Sequence, residues 1–447
     1  MKTIRIGAGA GFSTDRIDPA IEVAEKGDVR YIVFECLAER TIALAQLEKN
    51  KDPEKGYGAL LKERMEAMLP FCAKKGLVMV SNIGAANPLA AFRETLDIAA
   101  SIHAAPLKVA AVTGDDVLEK IIDSQEIVWE TGGPVSAIRD RILSANAYLG
   151  VEAILPALET GANVVITGRV ADPSLILAPL VHEFGWALSD WHLLGAGTAV
   201  GHLLECAAQV TGGFFADPGY KDVPDLVNIG FPIAEVRKDG TCVISKPAGS
   251  GGEVSVRTCK EQLFYEIQDP AAYLTPDVTA DFSKITLSQT GVDEVRVKNA
   301  TGKKRPDALK VALGVRDGFI GEGEISYGGS GALDRARLAE KIIIERLRKE
   351  NISGRQIKTE CIGFNSLLGP VAERVAPPPF EVRLRVAAKV DSEKEARRVG
   401  DEVEALYLNG PAGPAGARKY VRPVIAVYST TIARDLIETG IHVKEVG

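Results

Sequence analysis

Residues 77–104, LVMVSNIGAANPLAAFRETLDIAASIHA, decide the fold. Leu77 to Asn82 is a short apolar run with a polar tip, and after IGAANP an amphipathic stretch runs from Leu89 to Ala104. Asn87 followed by Pro88 predicts a helix start, a capping side chain before a proline whose fixed φ suits the first helical position. Phe92, Leu96, Ala99 and Ile102 then follow at steps of four, three and three. That spacing turns one apolar stripe towards a sheet and leaves Arg93, Glu94 and Asp97 facing water.

The same unit recurs. Tyr31 to Cys36 (YIVFEC) leads into Leu37 to Lys49, Leu107 to Thr113 (LKVAAVT) precedes Val117 to Asp123, and Val164 to Thr167 (VVIT) precedes Leu175 to Phe184. Asp172-Pro173 predicts a second capped start. Near-continuous Val, Ile and Ala runs are the mark of strands buried on both faces. The expected class is therefore α/β, with a mainly parallel sheet flanked by helices and right-handed crossovers.

From about Val227 the texture changes to shorter strands and turns, in IGFPIAEVRKDG, TCVISKPAGSGG, KITLSQTG, DEVRVKNATG and ALKVALGVRDGF. Helix returns over Ala332 to Glu350, where Leu338, Ile342, Ile343 and Leu347 repeat at helical spacing. Ala376-Pro377-Pro378-Pro379 continues neither a helix nor a central strand and reads as a linker. The expected organisation is an α/β domain over 1–226, a β-rich and helical continuation with glycine loops over 227–375, and a small α+β subdomain over 380–447.

Length and composition bound the function. At roughly 150 residues per domain, 447 residues allow two or three domains. A hydrophobic fraction of 46% with 25% charged residues is that of an ordinary globular protein. The net charge of -7, without long single-sign runs, argues against a nucleic-acid partner. No stretch reaches the ~20 apolar residues of a membrane span. The opening MKTIRIGAGAGFS reads as a strand entering a glycine turn rather than a secretion signal, so a cytoplasmic location is expected. Cys36, Cys72, Cys206, Cys242, Cys259 and Cys361 form no C-x-x-C pair and are expected to be reduced thiols.

In an open parallel sheet, ligands bind beyond the carboxyl ends of the strands. The tips carry Glu35 and Cys36, Asn82, Thr113 with Asp115 and Asp116, and Arg169 with Asp172. Arg169 can hold a carboxylate or phosphate bidentately, or simply pair with Asp172. Asn87 and Asp172 can equally be plain helix caps. Glu35, within a run as apolar as YIVFEC, needs a partner or a task, so it is either a general base or half of a buried ion pair. Cys36 reads as a small core residue.

Gly7-Ala8-Gly9-Ala10-Gly11 follows a strand but places Phe12 where a dinucleotide fingerprint needs glycine, leaving at most an anion-binding turn. The loop Ser245 to Ser255 gathers Lys246, Gly249, Ser250, Gly251 and Gly252, residues able to cradle phosphate or carboxylate on backbone N–H groups. Tyr327 to Gly331 repeats the theme and can form a second wall. Near Ala199 to Val210, His202, Glu205, Cys206 and Gln209 fall on one helical face. His202 and Glu205 can be an acid/base pair. The alternatives are two metal ligands in a set too small for a metal site, so none is expected, or a hydrogen-bonded interior stripe.

Longer motifs point further. GAGAGFSTDRIDPAIEVAEKGDVRYIVFECLAERTIALAQ at 7–46, SNIGAANP, ITGRVADPSL, CAAQVTGG, KPAGSGGEVS, EQLFYEIQDPAAYLTPDVTADF and YGGSGAL, spread over most of 4–350, resemble the acyclic terpene utilisation protein A (AtuA) family. The tail after Pro379 is similar to a small partner protein often encoded beside family members. The resemblance implies catabolism of branched or terpenoid acids through CoA thioesters, without fixing a reaction.

The expected function is a hydratase-type lyase acting on an acyl-CoA or a small carboxylate. Glu35 would move the proton, His202 with Glu205 would assist the hydroxyl, and Arg169 with the Lys246 loop would anchor the anion, alongside Asn82 and Asp172. No cofactor is expected beyond CoA as part of the substrate. The alternative is an accessory subunit of an acyl-CoA carboxylase-type complex, docking a small partner through its tail. A homo-oligomer is expected from enzyme habit.

Overall fold

The computed structural model describes residues 2–352 and 356–447. The chain divides into two compact units, the first comprising Met1–Gly314 with Val427–Gly447 and the second Val315–Ala426.

The first eight strands are β1 (Thr3–Ala10), β2 (Tyr31–Phe34), β3 (Val78–Ser81), β4 (Leu107–Thr113), β5 (Ile142–Ala147), β6 (Val164–Thr167), β7 (Ile233–Arg237) and β8 (Cys242–Ser245). They are followed by β9 (Tyr273–Leu274), β10 (Thr279–Asp281), β11 (Thr286–Gly291), β12 (Glu294–Lys298), β13 (Thr301–Lys303), β14 (Ala308–Gly328), β15 (Gln356–Ile362), β16 (Glu381–Val390), β17 (Pro414–Ala433) and β18 (Gly440–Val446).

The first unit is built on a ten-stranded sheet in the order β11-β12-β8-β7-β1-β2-β3-β6-β4-β18. Its centre, β1-β2-β3-β6-β4, is parallel, as expected of runs such as YIVF and VVIT whose every residue is buried. The β-rich half of the sequence does not form a separate layer. β7, β8, β12 and β11 extend the same sheet antiparallel beyond β1. The tail is likewise shared, because β18 returns to pair antiparallel with β4. A three-stranded sheet, β13-β10-β9, also belongs to this unit.

The quoted segment folds as read. The helix Pro88–Ser101 starts where Asn87 Oδ1 accepts from the Ala90 amide at 3.3 Å. Its apolar stripe joins a core in which Leu96, Ile98 and Ala99 meet Met79, Val109 and Ile166. The Asp172-Pro173 reading is corrected: the helix Ser174–Phe184 has Pro173 at its cap position without a side-chain cap, and the Asp172 carboxylate turns to Arg169 instead. The stripe after Ala199 is also shorter than expected. The helix Trp191–Leu204 ends at Glu205, and Cys206 and Gln209 lie beyond it around Ala207, whose φ is +41°.

The second unit has the sheet β15-β16-β14-β17, reached and left through the long strands β14 and β17. Its core packs Ile325 and Tyr327 with Leu384, Val386 and Val399 under the helix Ala332–Lys349. The triple proline precedes β16 inside this unit. Among the described residues no helix is long and apolar enough to cross a membrane.

Candidate active site

The parallel strands deliver their ends to one place. β2 runs into Glu35 and Cys36, β3 into Asn82, and β6 into Gly168 and Arg169. Glu35 is held on one oxygen only: Oε1 accepts from the Leu37 amide at 2.6 Å and from Asn82 Nδ2 at 3.0 Å. Its Oε2 has no hydrogen bond within the described residues. Asn82, fully buried, also accepts from the Cys36 amide with Oδ1 at 2.7 Å, which fixes the orientation of its amide. Burial drives the Glu35 carboxyl above the ordinary glutamate range. Asn82, the Leu37 amide and Arg169 oppose this, and the Glu205 carboxylate adds to it. The ion-pair reading of Glu35 is not met, since no cation lies within bridging distance of it among the described residues.

Arg169 is buried to 1% exposure. Nη1 donates to Asp172 Oδ1 at 3.1 Å, Nη2 donates to the Leu37 carbonyl, and the guanidinium lies 4.7 Å from the centre of the Tyr148 ring. Its Nε is buried without a partner. Burial works against the cation, yet Tyr148, Asp172, Glu35 and Glu39 together hold its pKa above the ordinary value. Asp172 keeps 36% of its side chain exposed. The protein around it nevertheless pushes it well above the usual range, with Glu35 adding and Arg169 opposing.

Two supports surround this pair. The Tyr148 hydroxyl hydrogen-bonds Glu39, which also pairs with Lys310 at 3.3 Å. Burial opposes it, but Tyr148, Arg169 and Lys310 bring the Glu39 carboxyl down to about 2. On the other side, buried Asp115 accepts from the Arg169 amide and from Asn146 Nδ2, both at 2.9 Å. Desolvation raises Asp115 to about 6. Only glycine fits at 168, because a Cβ there would stand 2.5 Å from the Asp115 carboxylate.

The His202–Glu205 pair joins this cluster from the end of its helix. Nδ1 lies 2.6 Å from Glu205 Oε1, while His202 Nε2 and Glu205 Oε2 are buried without partners. Tyr273 and Phe282 pack on the imidazole with ring centres at 5.6 and 5.8 Å, and Gln262 Nε2 donates to the His202 carbonyl at 2.7 Å. The helix carrying His202 packs on the turn after Arg169, where a Cβ on Gly201 would stand 2.7 Å from Pro173, and the Glu205 carboxylate acts electrostatically on both Glu35 and Asp172, which places Glu35, Asn82, Arg169, Asp172, His202 and Glu205 in one neighbourhood.

Other candidates go elsewhere. The Gly11 amide donates to Asp15 at 2.9 Å, so the chain's own carboxylate occupies the first glycine turn. Cys36 is buried, receives a hydrogen bond from Arg64 at 2.8 Å, and has its thiol pushed up to about 12 by desolvation, which leaves it unreactive. The Lys246 loop stands on a different cavity, of about 440 Å3, with Arg5, Lys26 and Asp293. Lys246 Nζ pairs with Asp293 at 3.1 Å and donates to the Ser250 carbonyl at 2.6 Å. The amides of Gly251, Gly252 and Glu253 all donate to carbonyls, and Gly249 and Gly252 take positive φ to make the turn. Tyr327 to Gly331 belongs to the second unit.

The sequence reading missed Tyr148, Asn146, Lys310, Tyr273, Phe282 and Gln262. The one signal available was the placement of Gln262, Tyr273 and Phe282 within the long motif EQLFYEIQDPAAYLTPDVTADF.

Taken together, the chain is an α/β protein with a buried acid–guanidinium cluster at the tips of a parallel sheet. The family described as acyclic terpene utilisation family protein AtuA matches residues 4–443, and the chain belongs to that family. Neither curated proteins nor solved structures gave a match.

Proposed function

We propose that the protein is an enzyme of acyclic terpene or branched-acid catabolism, a lyase of hydratase type acting on an α,β-unsaturated acyl-CoA thioester. One observation carries this reading. Glu35, with one oxygen uncommitted, and His202, with a buried unpartnered Nε2, occupy the same neighbourhood beside Arg169.

With Nδ1–H directed at Glu205, the Nε2 lone pair of His202 takes a proton from water while the water oxygen bonds to Cβ of the substrate. Protonated Glu35, favoured by its burial, gives its proton to Cα. Water is thereby added across the double bond, and dehydration is the reverse. Arg169 offers its unpartnered Nε and its charge to the electron density that builds on the thioester oxygen. Asn82 positions Glu35, and Asp172 and the Leu37 carbonyl position Arg169. No step is placed on the Lys246 loop, whose lysine pairs with Asp293 and whose Gly251, Gly252 and Glu253 amides donate to carbonyls.

The test is hydration of a panel of branched enoyl-CoAs by wild type and Glu35→Gln. A loss of about 10²–10⁴-fold in kcat is expected, with the fold unchanged by circular dichroism. Equal rates would remove Glu35 from the chemistry. Absence of turnover with every thioester, together with capture of a small partner protein, would instead support the accessory-subunit alternative.

A further inference from the structure

The helix Val256–Phe264 faces two ways. Its buried face carries Gln262, which holds the His202 carbonyl with Nε2 and leaves Oε1 without a partner. Its exposed face carries Arg257, Lys260 and Phe264, which with Phe214, Phe215 and Lys221 line an open groove of about 640 Å3. That size suits a ligand rather than a packing defect. Phe264 and Phe214 expose 65% and 82% of their surface, and Lys221 and Arg257 stand 4.7 and 5.6 Å from the centre of the Phe215 ring. The groove thus holds several aromatic faces and three cations: Lys221 pairs with Glu261 at 2.8 Å and Arg257 with Glu253 at 3.3 Å, while Lys260 has no ion pair among the described residues.

The groove is joined to the acid cluster through the chain itself. Gln209, on its wall, holds a buried Nε2 without a partner and lies four residues beyond Glu205, at most about 14 Å of extended chain. Between them Cys206 contacts Gln262. Between the groove's wall and the cluster, Gln209, Gln262, Glu205 and His202 each keep a buried polar atom without a partner among the described residues. Buried donors and acceptors are normally matched, so a series of unmatched ones points to a polar ligand group that completes them.

We infer that this groove binds the phosphorylated nucleotide end of a CoA thioester, with the base stacked on Phe264 or Phe214 and the phosphates on Lys260, Arg257 and Lys221. Flat aromatic faces favour a planar base, and guanidinium and ammonium groups favour phosphate. The inference rests on the thioester reading above and specifies which part of the substrate lies outside the reacting centre.

Calorimetric titration of the full chain with free CoA, with 3′-dephospho-CoA and with a free branched acid separates the possibilities. Free CoA should bind to wild type, weaken severalfold without the 3′-phosphate, and weaken at least tenfold in both Phe264→Ala and Lys260→Glu. Both positions are exposed helix sites whose replacement spares the core. Free acid should bind equally to all three proteins. No binding of CoA to wild type, CoA affinity unchanged in both variants, or loss of acid binding instead of CoA binding would each overturn the assignment. Because this readout is affinity without turnover, CoA binding at the groove together with unaltered hydration by Glu35→Gln would refute only the chemistry. A normal Glu35 effect with CoA affinity unaffected in both variants would refute only the groove.

Discussion

Two regions of the first unit offered the same promise in the sequence, the strand-tip cluster around Glu35 and the glycine loop around Lys246, and the structure treats them in opposite ways. At the loop Lys246 is engaged by Asp293 and the Ser250 carbonyl, and the amides of Gly251, Gly252 and Glu253 donate to carbonyls. At the strand tips, Arg169 Nε, His202 Nε2 and Glu205 Oε2 are buried without partners, and Glu35 keeps an oxygen unengaged. A glycine-rich loop with a lysine can therefore be architecture. Unmatched buried polar atoms next to carboxyls with raised pKa values are the more specific sign of a site.

The contrast can be broken by mutation. Glu35→Gln has the largest expected effect, the loss of about 10²–10⁴-fold in hydration given above, whereas Lys246→Met should leave kcat within about twofold. Stability should rank differently. Arg169→Met leaves Asp172 facing Glu35 and Glu205 without its cation, and should cost about 3–5 kcal/mol in urea unfolding. Lys246→Met strands Asp293 at a partly open position and should cost about 1–3 kcal/mol. An equal loss of activity in the two lysine and glutamate variants would erase the distinction between the regions.

A finer test uses pH. Asp115 lies above its ordinary 3.8, at about 6, because of desolvation. Between those values the folded protein binds more protons at this group than the unfolded chain does. Its contribution is fully present below the unfolded value and is lost as pH rises through about 6, amounting to at most about 3 kcal/mol. Asp115→Asn should flatten that part of the stability–pH curve, measured as wild type minus variant. Glu39 has the opposite sign: held at about 2, it contributes stability above its ordinary 4.5 that is lost as pH falls. Glu39→Gln should therefore soften only the acid limb, a small effect because the side chain is partly exposed.

How much of this was legible follows from the range of the interactions. YIVF, VMVS and VVIT announced the parallel centre because strands buried on both faces leave a local signature. Nothing local in TCVIS or EVRVK says that these strands extend the β1 edge. Nothing in IHVKEV says that it returns to β4, where Thr113 and Gly440 pair across 327 residues. The site divides along the same line. Glu35, Asn82 and Arg169 were readable because strand tips in an α/β sheet converge. Tyr148 follows β5, Lys310 lies on β14, Tyr273 on β9 and Gln262 on the helix Val256–Phe264, and the folding of the chain brings them to the cluster. Asp172 shows the limit of motif reading, since Asp-Pro fits a helix cap equally well and its carboxylate serves Arg169.

The decisive experiment is the fate of one proton. Hydration of a branched enoyl-CoA in D2O, followed by mass spectrometry and NMR of the product, should show a single deuterium at Cα formed rapidly by wild type and at least a hundredfold more slowly by Glu35→Gln, with Lys246→Met indistinguishable from wild type. Deuterium appearing at Cα at the same rate in Glu35→Gln, or slowed only in Lys246→Met, would contradict the assignment of chemistry to the strand tips.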